Sequence, residues 1–296
     1  AFSKNKLMSK TIPDSELILS DLDAVYHLGL HPEMVADTII VVGDPDRVPK
    51  ISSHFDKMEY QKANRELVTH TGTIGSQRLS VMSSGMGTDN VELLLTELDA
   101  LVNINLRARK VIRNLTSLKI IRIGTSGCMQ KDIPLDTLLV SKAALGLDTL
   151  MSFYQRSPAQ PCAVVENKVQ RLLNLPFKPY FAEASQELFN WFEQDLHHGV
   201  TITSPGFYAP QGREIRLPLK MKNMLEKLAD IETSFGRFTN FEMETAAYYA
   251  LGAMLGHRVV SLNALIANRP HGTFSKDHEK TVNTLIQKVL EKLTAS

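Results

Sequence analysis

Residues 118–127 read LKIIRIGTSG, an apolar and β-branched run that ends in two glycines around Thr125 and Ser126. A short run of this kind, closed by turn residues, is typical of a buried strand followed by a loop. We therefore predict a strand over 118–123 and a glycine-rich loop over 124–127. In open α/β sheets, ligands collect where loops leave the carboxyl ends of strands, so this loop is a candidate binding site.

Strand and helix patterns alternate on both sides of this segment. Predicted strands lie at residues 38–42, 67–74, 78–83, 137–143, 200–203 and 259–262, and predicted helices at 91–102, 185–196, from 242 and from about 276. The two strands around Gly75 and Ser76 are expected to form a hairpin. The alternation predicts an α/β fold with a central, largely parallel or mixed sheet flanked by helices. We expect an N-terminal extension over 1–25 and a single domain over 26–296.

Composition excludes several classes of protein. Hydrophobic residues make up 43% of the 296 residues, and 33 basic residues nearly balance 32 acidic ones. The hydrophobic fraction argues against disorder. The near balance of charges argues against a broad basic surface, so no nucleic acid partner is expected. Two cysteines, Cys128 and Cys162, exclude a disulfide framework and favour the reducing cytoplasm. No apolar run approaches the roughly 18 residues of a membrane span, so no membrane partner is expected either.

Three predicted loops combine glycine with arginine or a second glycine. They are residues 43–47 (GDPDR), 85–87 (GMG) and 122–127 (RIGTSG). Glycine lets backbone N–H groups approach an anion, and the arginine fork matches phosphate oxygens. The pattern favours a phosphate-sized anion site, although each loop alone fits a simple turn with a solvated arginine. Neither a dinucleotide fingerprint nor a P-loop sequence is present.

Two further segments carry chemistry-bearing side chains. In residues 240–247 (NFEMETAA), two carboxylates flank a methionine at the predicted start of a helix. They could stabilise the helix dipole, or they could accept hydrogen bonds from a diol such as ribose. In residues 207–213 (FYAPQGR), an aromatic ring could stack on a flat base while Gln211 and Arg213 contact its polar edge.

In their order and spacing, these segments together resemble uridine phosphorylases. The resemblance covers residues 26–293 and includes residues 26–30 (YHLGL) and Asn268-Arg269. It implies one α/β domain around a mixed sheet in a three-layer α/β/α arrangement. It also implies a homo-oligomer, a dimer or a trimer of dimers, whose active sites are shared across the dimer interface.

The resemblance assigns roles to single residues of this sequence. The phosphate site is expected to use Gly43, Arg47, Arg65, Arg122 and Thr125, the ribose site His27, Met243 and Glu244, and the base site Phe207, Gln211 and Arg213. His27 and Arg65 are expected to come from the neighbouring subunit. Catalysis is expected to depend on Arg122, Glu244 and Arg213. The scheme needs no metal and no organic cofactor, because inorganic phosphate is a co-substrate.

The implied activity is the reversible phosphorolysis of uridine to uracil and ribose 1-phosphate, in pyrimidine salvage. One alternative is a purine or broad-specificity nucleoside phosphorylase, or a nucleosidase, of the same fold. Such relatives carry a Ser-Asp pair after the penultimate strand, whereas residues 261–269 (SLNALIANR) contain no acid. A second alternative is a non-catalytic nucleoside-binding protein. Because the phosphate arginines and Glu244 are all present, the sequence favours the enzyme.

Two segments depart from the family pattern. Residues 87–90 read GTDN, where many relatives have a Pro-Ser that can serve a monovalent-cation site. Residues 103–117 form a longer connection, and its Arg107, Arg109, Lys110 and Arg113 are expected to be a solvated face. Replacing Arg122 or Glu244 by alanine is expected to abolish most turnover and to leave thermal stability nearly intact.

Overall fold

A computed structural model describes residues 10–20 and 23–295 of the chain. Its helices are α1 (Arg47–Ser52), α2 (Thr88–Asn103), α3 (Gln160–Leu173), α4 (Gln186–Asn190), α5 (Met224–Ala229), α6 (Thr245–Leu255) and α7 (His278–Thr294). Its strands are β1 (Thr38–Val42), β2 (Lys57–Asn64), β3 (Leu67–Ile74), β4 (Gln77–Ser83), β5 (Ile104–Asn105), β6 (Lys110–Val111), β7 (Lys119–Cys128), β8 (Leu138–Gly146), β9 (Tyr180–Glu183), β10 (His197–Thr203), β11 (Glu232–Thr233), β12 (Gly236–Glu242), β13 (Arg258–Asn268) and β14 (Thr273–Phe274).

One mixed sheet organises the fold. Its strand order is β11-β12-β10-β8-β13-β7-β1-β4-β3-β2, and β7 lies between two parallel neighbours, β1 and β13. The far strand β12 returns to pair with β7 in antiparallel register, Asn240 opposite Cys128 and Phe241 opposite Gly127. This last pairing closes β7, β13, β8, β10 and β12 into a ring. It also brings the end of β12 against the end of β7.

The sheet is covered by helices on both faces, as the alternation of its side chains requires. In β1, Ile39 and Val41 belong to one buried cluster, whereas Ile40 and Val42 belong to another. The first cluster contains side chains of α2 and α6, and the second contains side chains of α1, α4 and α7. The three-layer α/β/α arrangement is therefore confirmed.

Several predicted elements are confirmed and others have different bounds. The predicted hairpin of β3 and β4 forms around Gly75 and Ser76, with Ile74 opposite Gln77. The predicted helix over 185–196 is shorter and ends at Asn190. The sequence patterns missed β2, β5, β6, β9, β11, β12, β14, α1, α3 and α5.

The glycine-rich stretch after residue 123 is not a loop, contrary to the prediction. Strand β7 continues to Cys128 because β13 pairs with it along its length, Asn263 opposite Gly124 and Leu265 opposite Ser126. At Gly127, a Cβ atom would lie 2.6 Å from the ring of Phe241. The glycines therefore admit close neighbours within a strand and do not turn the chain.

The connection over 103–117 holds the N-terminal segment. Its strands β5 and β6 form a small hairpin, and Arg109 between them has a side chain only 17% exposed. The guanidinium donates hydrogen bonds to the carbonyl oxygens of Ile12 and Leu17 and pairs with Asp14. The prediction of a solvated face is therefore wrong for Arg109. Residues 1–9, 21 and 22 of the predicted extension lie outside the described residues.

None of the helices in the described ranges is both long and apolar enough to cross a lipid bilayer.

Helix α2 is anchored by buried leucines, which gives a direct test of the packing. Leu98 is 0% exposed in the cluster that α2 shares with α6. Replacing Leu98 by alanine is expected to lower the free energy of unfolding by about 2–5 kcal/mol, because the lost side chain leaves a cavity. Urea denaturation measures this loss. The matched control is Leu115→Ala, because Leu115 is 58% exposed, and an equal loss for both variants would contradict this packing.

Candidate active site

A cavity of about 980 Å³ opens where strands of the sheet end. Its lining comes from the segment after β1, the segment after β4, the last part of β7 and the ends of β12 and β13. Most residues predicted for the site line this one cavity: Gly43, Arg47, Arg122, Thr125, Phe207, Gln211, Arg213, Met243 and Glu244. The loops that the sequence suggested as separate anion and base sites are thus parts of one cleft.

Arg122 is the most constrained charge in the cavity. Its guanidinium Nη2 lies 2.6 Å from Oε2 of Glu244 and 2.9 Å from Oε2 of Glu242. On the other side, Nη1 donates to Ser261 Oγ and Asn263 Oδ1, each at 3.2 Å. The side chains of Arg122 and of both glutamates are each less than 8% exposed.

Backbone geometry leaves room for this guanidinium. Arg122 lies on β7, and its side chain folds over Gly124 on the same strand. A Cβ atom at residue 124 would lie 2.2 Å from Nη1 of Arg122. Glycine is therefore required at this position for the guanidinium to reach the two carboxylates.

Burial and charge oppose each other in this cluster. Burial lowers the pKa of Arg122, but Glu242 and Glu244 outweigh burial and hold it above its ordinary value. Burial raises the pKa of Glu244 above its ordinary value, although the charge of Arg122 acts in the opposite direction. For Arg47, burial and the nearby positive charge of Arg122 lower the pKa. Arg122 is buried and Arg47 is half-buried, and two such neighbouring cations form a site suited to an anion.

Glu242 is a residue whose importance the sequence patterns missed. It was assigned to the start of a helix, but it is the last residue of β12, and α6 begins three residues later at Thr245. Its carboxylate accepts hydrogen bonds from Thr203 Oγ1 at 2.6 Å, from the Glu244 N–H and from the Thr245 N–H. It thereby binds the first N–H group of α6 and fixes Arg122. The only sequence signal was a carboxylate close to the predicted start of a helix.

Glu244 is also oriented by the backbone. Its Oε1 accepts a 2.7 Å hydrogen bond from the N–H of Gly87, which immediately precedes α2. The departure from the family pattern at 87–90 therefore lies directly beside the acid predicted to bind ribose. Met86, next to it in the cavity lining, is 73% exposed.

The other end of the cavity carries the aromatic and cationic side chains. The Arg213 guanidinium carbon lies 3.9 Å from the ring centroid of Phe207, and Arg213 donates to the side-chain oxygen of Gln211. Burial, together with the charge of Arg269, lowers the pKa of Arg213. Arg269 itself donates to the carbonyl oxygens of Gln211 at 2.9 Å and Gly212 at 3.0 Å. A flat ring and a paired amide and guanidinium thus face one end of the cleft.

Two predicted residues, His27 and Arg65, do not line the cavity of their own chain. Arg65 is exposed at the turn between β2 and β3, with φ at +55°. The preceding residue, Asn64, donates a 2.8 Å hydrogen bond from Nδ2 to the carbonyl oxygen of His27. The structure therefore places the backbone of His27 against the residue that precedes Arg65, and neither His27 nor Arg65 lines the cleft.

Known proteins share this arrangement. A family model described as the phosphorylase superfamily matches residues 37–295. The chain belongs to this superfamily. It is accordingly an enzyme of the nucleoside phosphorylase type, a pentosyltransferase.

The relatives of this phosphorylase include enzymes for both kinds of base. A uridine phosphorylase of Treponema pallidum is 37% identical, with 83% of each chain covered. A uridine phosphorylase of Thermococcus kodakarensis is 31% identical over 86% of this chain and 81% of that one. A purine nucleoside phosphorylase of Streptococcus suis is 23% identical over 91% of this chain and 98% of that one.

A solved structure agrees with the fold of this phosphorylase over almost its whole length. It is a Trypanosoma brucei nucleoside phosphorylase that shows uridine phosphorylase activity. The TM-score is 0.86 at 27% identity, and 95% of this chain and 100% of that chain are covered.

The buried cluster argues against the expectation that removing Arg122 leaves stability nearly intact. In Arg122→Ala, two buried carboxylates lose their cation, which is expected to lower the free energy of unfolding by about 3–5 kcal/mol at neutral pH. The folded-state pKa of Glu244 is already raised from 4.5, and losing Arg122 raises it further. Between the ordinary pKa of 4.5 and the raised folded-state pKa, the folded state holds a proton on Glu244 that the unfolded state has released. The stability of the variant therefore falls as the pH rises through this interval.

Urea denaturation at pH 5 and pH 7.5 measures this dependence. The loss in Arg122→Ala relative to the unmodified protein is expected to be larger at the higher pH. Arg171→Ala is the control, because Arg171 is exposed on α3, and it is expected to leave stability unchanged at both pH values. A loss of equal size at both pH values would contradict the argument.

Proposed function

We propose that this phosphorylase is a uridine phosphorylase, which converts uridine and phosphate reversibly into uracil and ribose 1-phosphate. The observation that carries the proposal is the chemistry of the cavity end at Phe207, Gln211 and Arg213. Uracil presents two carbonyl oxygens and one N–H, which match the donors of arginine and glutamine and the acceptor of glutamine. The carboxylates in the cavity lining are Asp44, Glu66, Glu242 and Glu244, and none of them comes from β13.

Phosphate binds, in this proposal, between Arg47 and Arg122, close to Gly43 and Thr125. One phosphate oxygen attacks C1′ of the ribose while the bond from C1′ to N1 of uracil breaks. The electron pair of that bond leaves with the base, so positive charge develops on the sugar and negative charge on uracil. Phosphate stabilises the sugar, and Arg213 with Gln211 stabilises the departing uracil anion. Holding phosphate against C1′ also replaces a bimolecular encounter by an oriented one.

Ribose binds at Glu244 and Met243, between the phosphate and base ends. Glu244 accepts hydrogen bonds from the 2′- and 3′-hydroxyl groups with the lone pairs that Gly87 and Arg122 leave available. Because its carboxylate is nine-tenths or more buried and already held at both oxygens, little conformational entropy is lost when the sugar binds.

We further propose that the active unit is a homo-oligomer, a dimer or a trimer of dimers. In it, His27 reaches the ribose 5′-hydroxyl group, and Arg65 the phosphate, in the site of a neighbouring copy. Their position outside the cleft of their own chain supports this arrangement. Phosphate is the co-substrate, and the arginines supply the charge stabilisation without a metal or an organic cofactor. The near balance of 33 basic and 32 acidic residues suits a neutral nucleoside and a small anion. We propose the cytoplasm as the compartment.

A substrate assay tests the proposed reaction. Uracil release from uridine is expected to require phosphate and to exceed hypoxanthine release from inosine by a large factor. The measurement is base release from uridine, thymidine and inosine, each with and without phosphate. Equal turnover of uridine without phosphate would instead identify a nucleosidase, and faster inosine cleavage would identify a purine enzyme.

The role of Arg213 has a separate kinetic signature. Arg213→Ala is expected to lower kcat for uridine by about 10²–10³, because the uracil anion loses its cationic partner in the transition state. With 5-fluorouridine the loss is expected to be smaller, since that base is a better leaving group. Steady-state kinetics on both substrates measures the difference, with Arg216→Ala at an exposed position as the control. Equal losses on both substrates would exclude leaving-group stabilisation by Arg213.

A further inference from the structure

Glu97 lies outside the cavity and makes an unusual set of contacts. It belongs to α2, and its carboxylate accepts hydrogen bonds from the backbone N–H of His27 at 3.0 Å and of Leu28 at 2.8 Å. The same carboxylate lies 2.6 Å from Nδ1 of the His27 ring. One acid therefore satisfies three donors of a single short loop.

This contact determines which ring nitrogen of His27 carries the proton. An ionised carboxylate can only accept hydrogen bonds, so Nδ1 must be the donor. In a neutral imidazole the other nitrogen, Nε2, is then an acceptor. The His27 side chain is 33% exposed, whereas that of Glu97 is 12% exposed, so the ring faces outward from a fixed and sheltered partner.

The loop around His27 is held from a second side. Asn64 Nδ2 donates to the His27 carbonyl oxygen at 2.8 Å, and Gly29 adopts φ of +62° against the side chain of Lys62. The ring of Tyr26 meets the His27 ring edge-on, with 5.0 Å between centroids. The position of the imidazole is thus set by the backbone, and its orientation by Glu97.

We propose that Glu97 is a positioning residue, which fixes the Nδ1–H tautomer of His27 so that Nε2 accepts a hydrogen bond from the ribose 5′-hydroxyl group. The inference rests on the proposed function, in which His27 contacts the ribose of a neighbouring copy. Glu97 itself touches no substrate. Its effect is selectivity for nucleosides that carry a free 5′-hydroxyl.

Nuclear magnetic resonance of the ring nitrogens tests the tautomer without any substrate. In protein labelled with ¹⁵N-histidine, His27 is expected to show a protonated Nδ1 and a bare Nε2, with His27→Ala used for assignment. In Glu97→Gln, the backbone N–H groups of His27 and Leu28, which both contact Oε2, are expected to keep the one remaining side-chain oxygen. The NH₂ group then faces Nδ1 and donates to it, so the pattern is expected to reverse. An unchanged pattern in Glu97→Gln would overturn the proposal.

Kinetics with uridine and 5′-deoxyuridine tests the consequence. The kcat/KM of uridine divided by that of 5′-deoxyuridine is expected to fall roughly tenfold in Glu97→Gln. The reason is that the 5′-hydroxyl hydrogen of uridine loses Nε2 of His27 as its acceptor. His27→Ala is expected to give a similar fall, and the double variant no further one. Glu92→Gln is the matched control, since Glu92 lies on the same helix and bonds Tyr154 instead. Equal losses on both substrates would mean a merely structural role and would overturn the proposal.

Failure of the uridine assignment is distinguishable from failure of this inference. If inosine proves to be the better substrate, the same ratio is measured with inosine and 5′-deoxyinosine. A fall in kcat/KM for inosine but not for 5′-deoxyinosine in Glu97→Gln then still supports the role of Glu97. An unchanged ratio for the accepted nucleoside contradicts it.

Discussion

The buried contact of Arg122 with Glu242 and Glu244 is the constraint on which the site depends. Removing three charges from water is costly, and only close pairing and additional hydrogen bonds offset that cost. The neighbouring elements each satisfy part of this requirement. Gly124 leaves space for the guanidinium, β13 supplies Ser261 and Asn263, and the N–H of Gly87 approaches Glu244.

The sequence could predict the layers of the fold but not the ends of its elements. Apolar runs such as Thr38–Val42 identify buried strands because burial on both faces demands them. The extension of β7 through Gly124 to Cys128 depends on pairing with β13, whose partner residues lie 139 or more positions away. No local pattern contains this long-range pairing. The sequence therefore indicated a turn at Gly124 and Gly127, although both glycines lie within the strand and admit close neighbours.

The same limit applies to the site. The arginines, the aromatic loop and Glu244 were identifiable because their types and order resemble a family. Glu242 was not, since its function depends on β12 returning to β7, a contact between distant segments. The resulting cleft separates charge along its length: the acids Glu242 and Glu244 lie beside Arg122, and Arg213 lies with Arg269 at the other end. This polarity suits the proposed reaction, in which positive charge develops on the sugar and negative charge on the base.

The clamp formed by Arg109 has a consequence for synthesis of the chain. Residues 12–27 leave the ribosome before the side chains that hold them: Arg109 lies 97 positions after Ile12, and Glu97 lies 70 positions after His27. At about 5–20 residues per second, those anchors appear about 4–20 s later. Residues 12–17 and His27 therefore emerge before the side chains that fix them. His27 takes its final orientation only once α2 has been made.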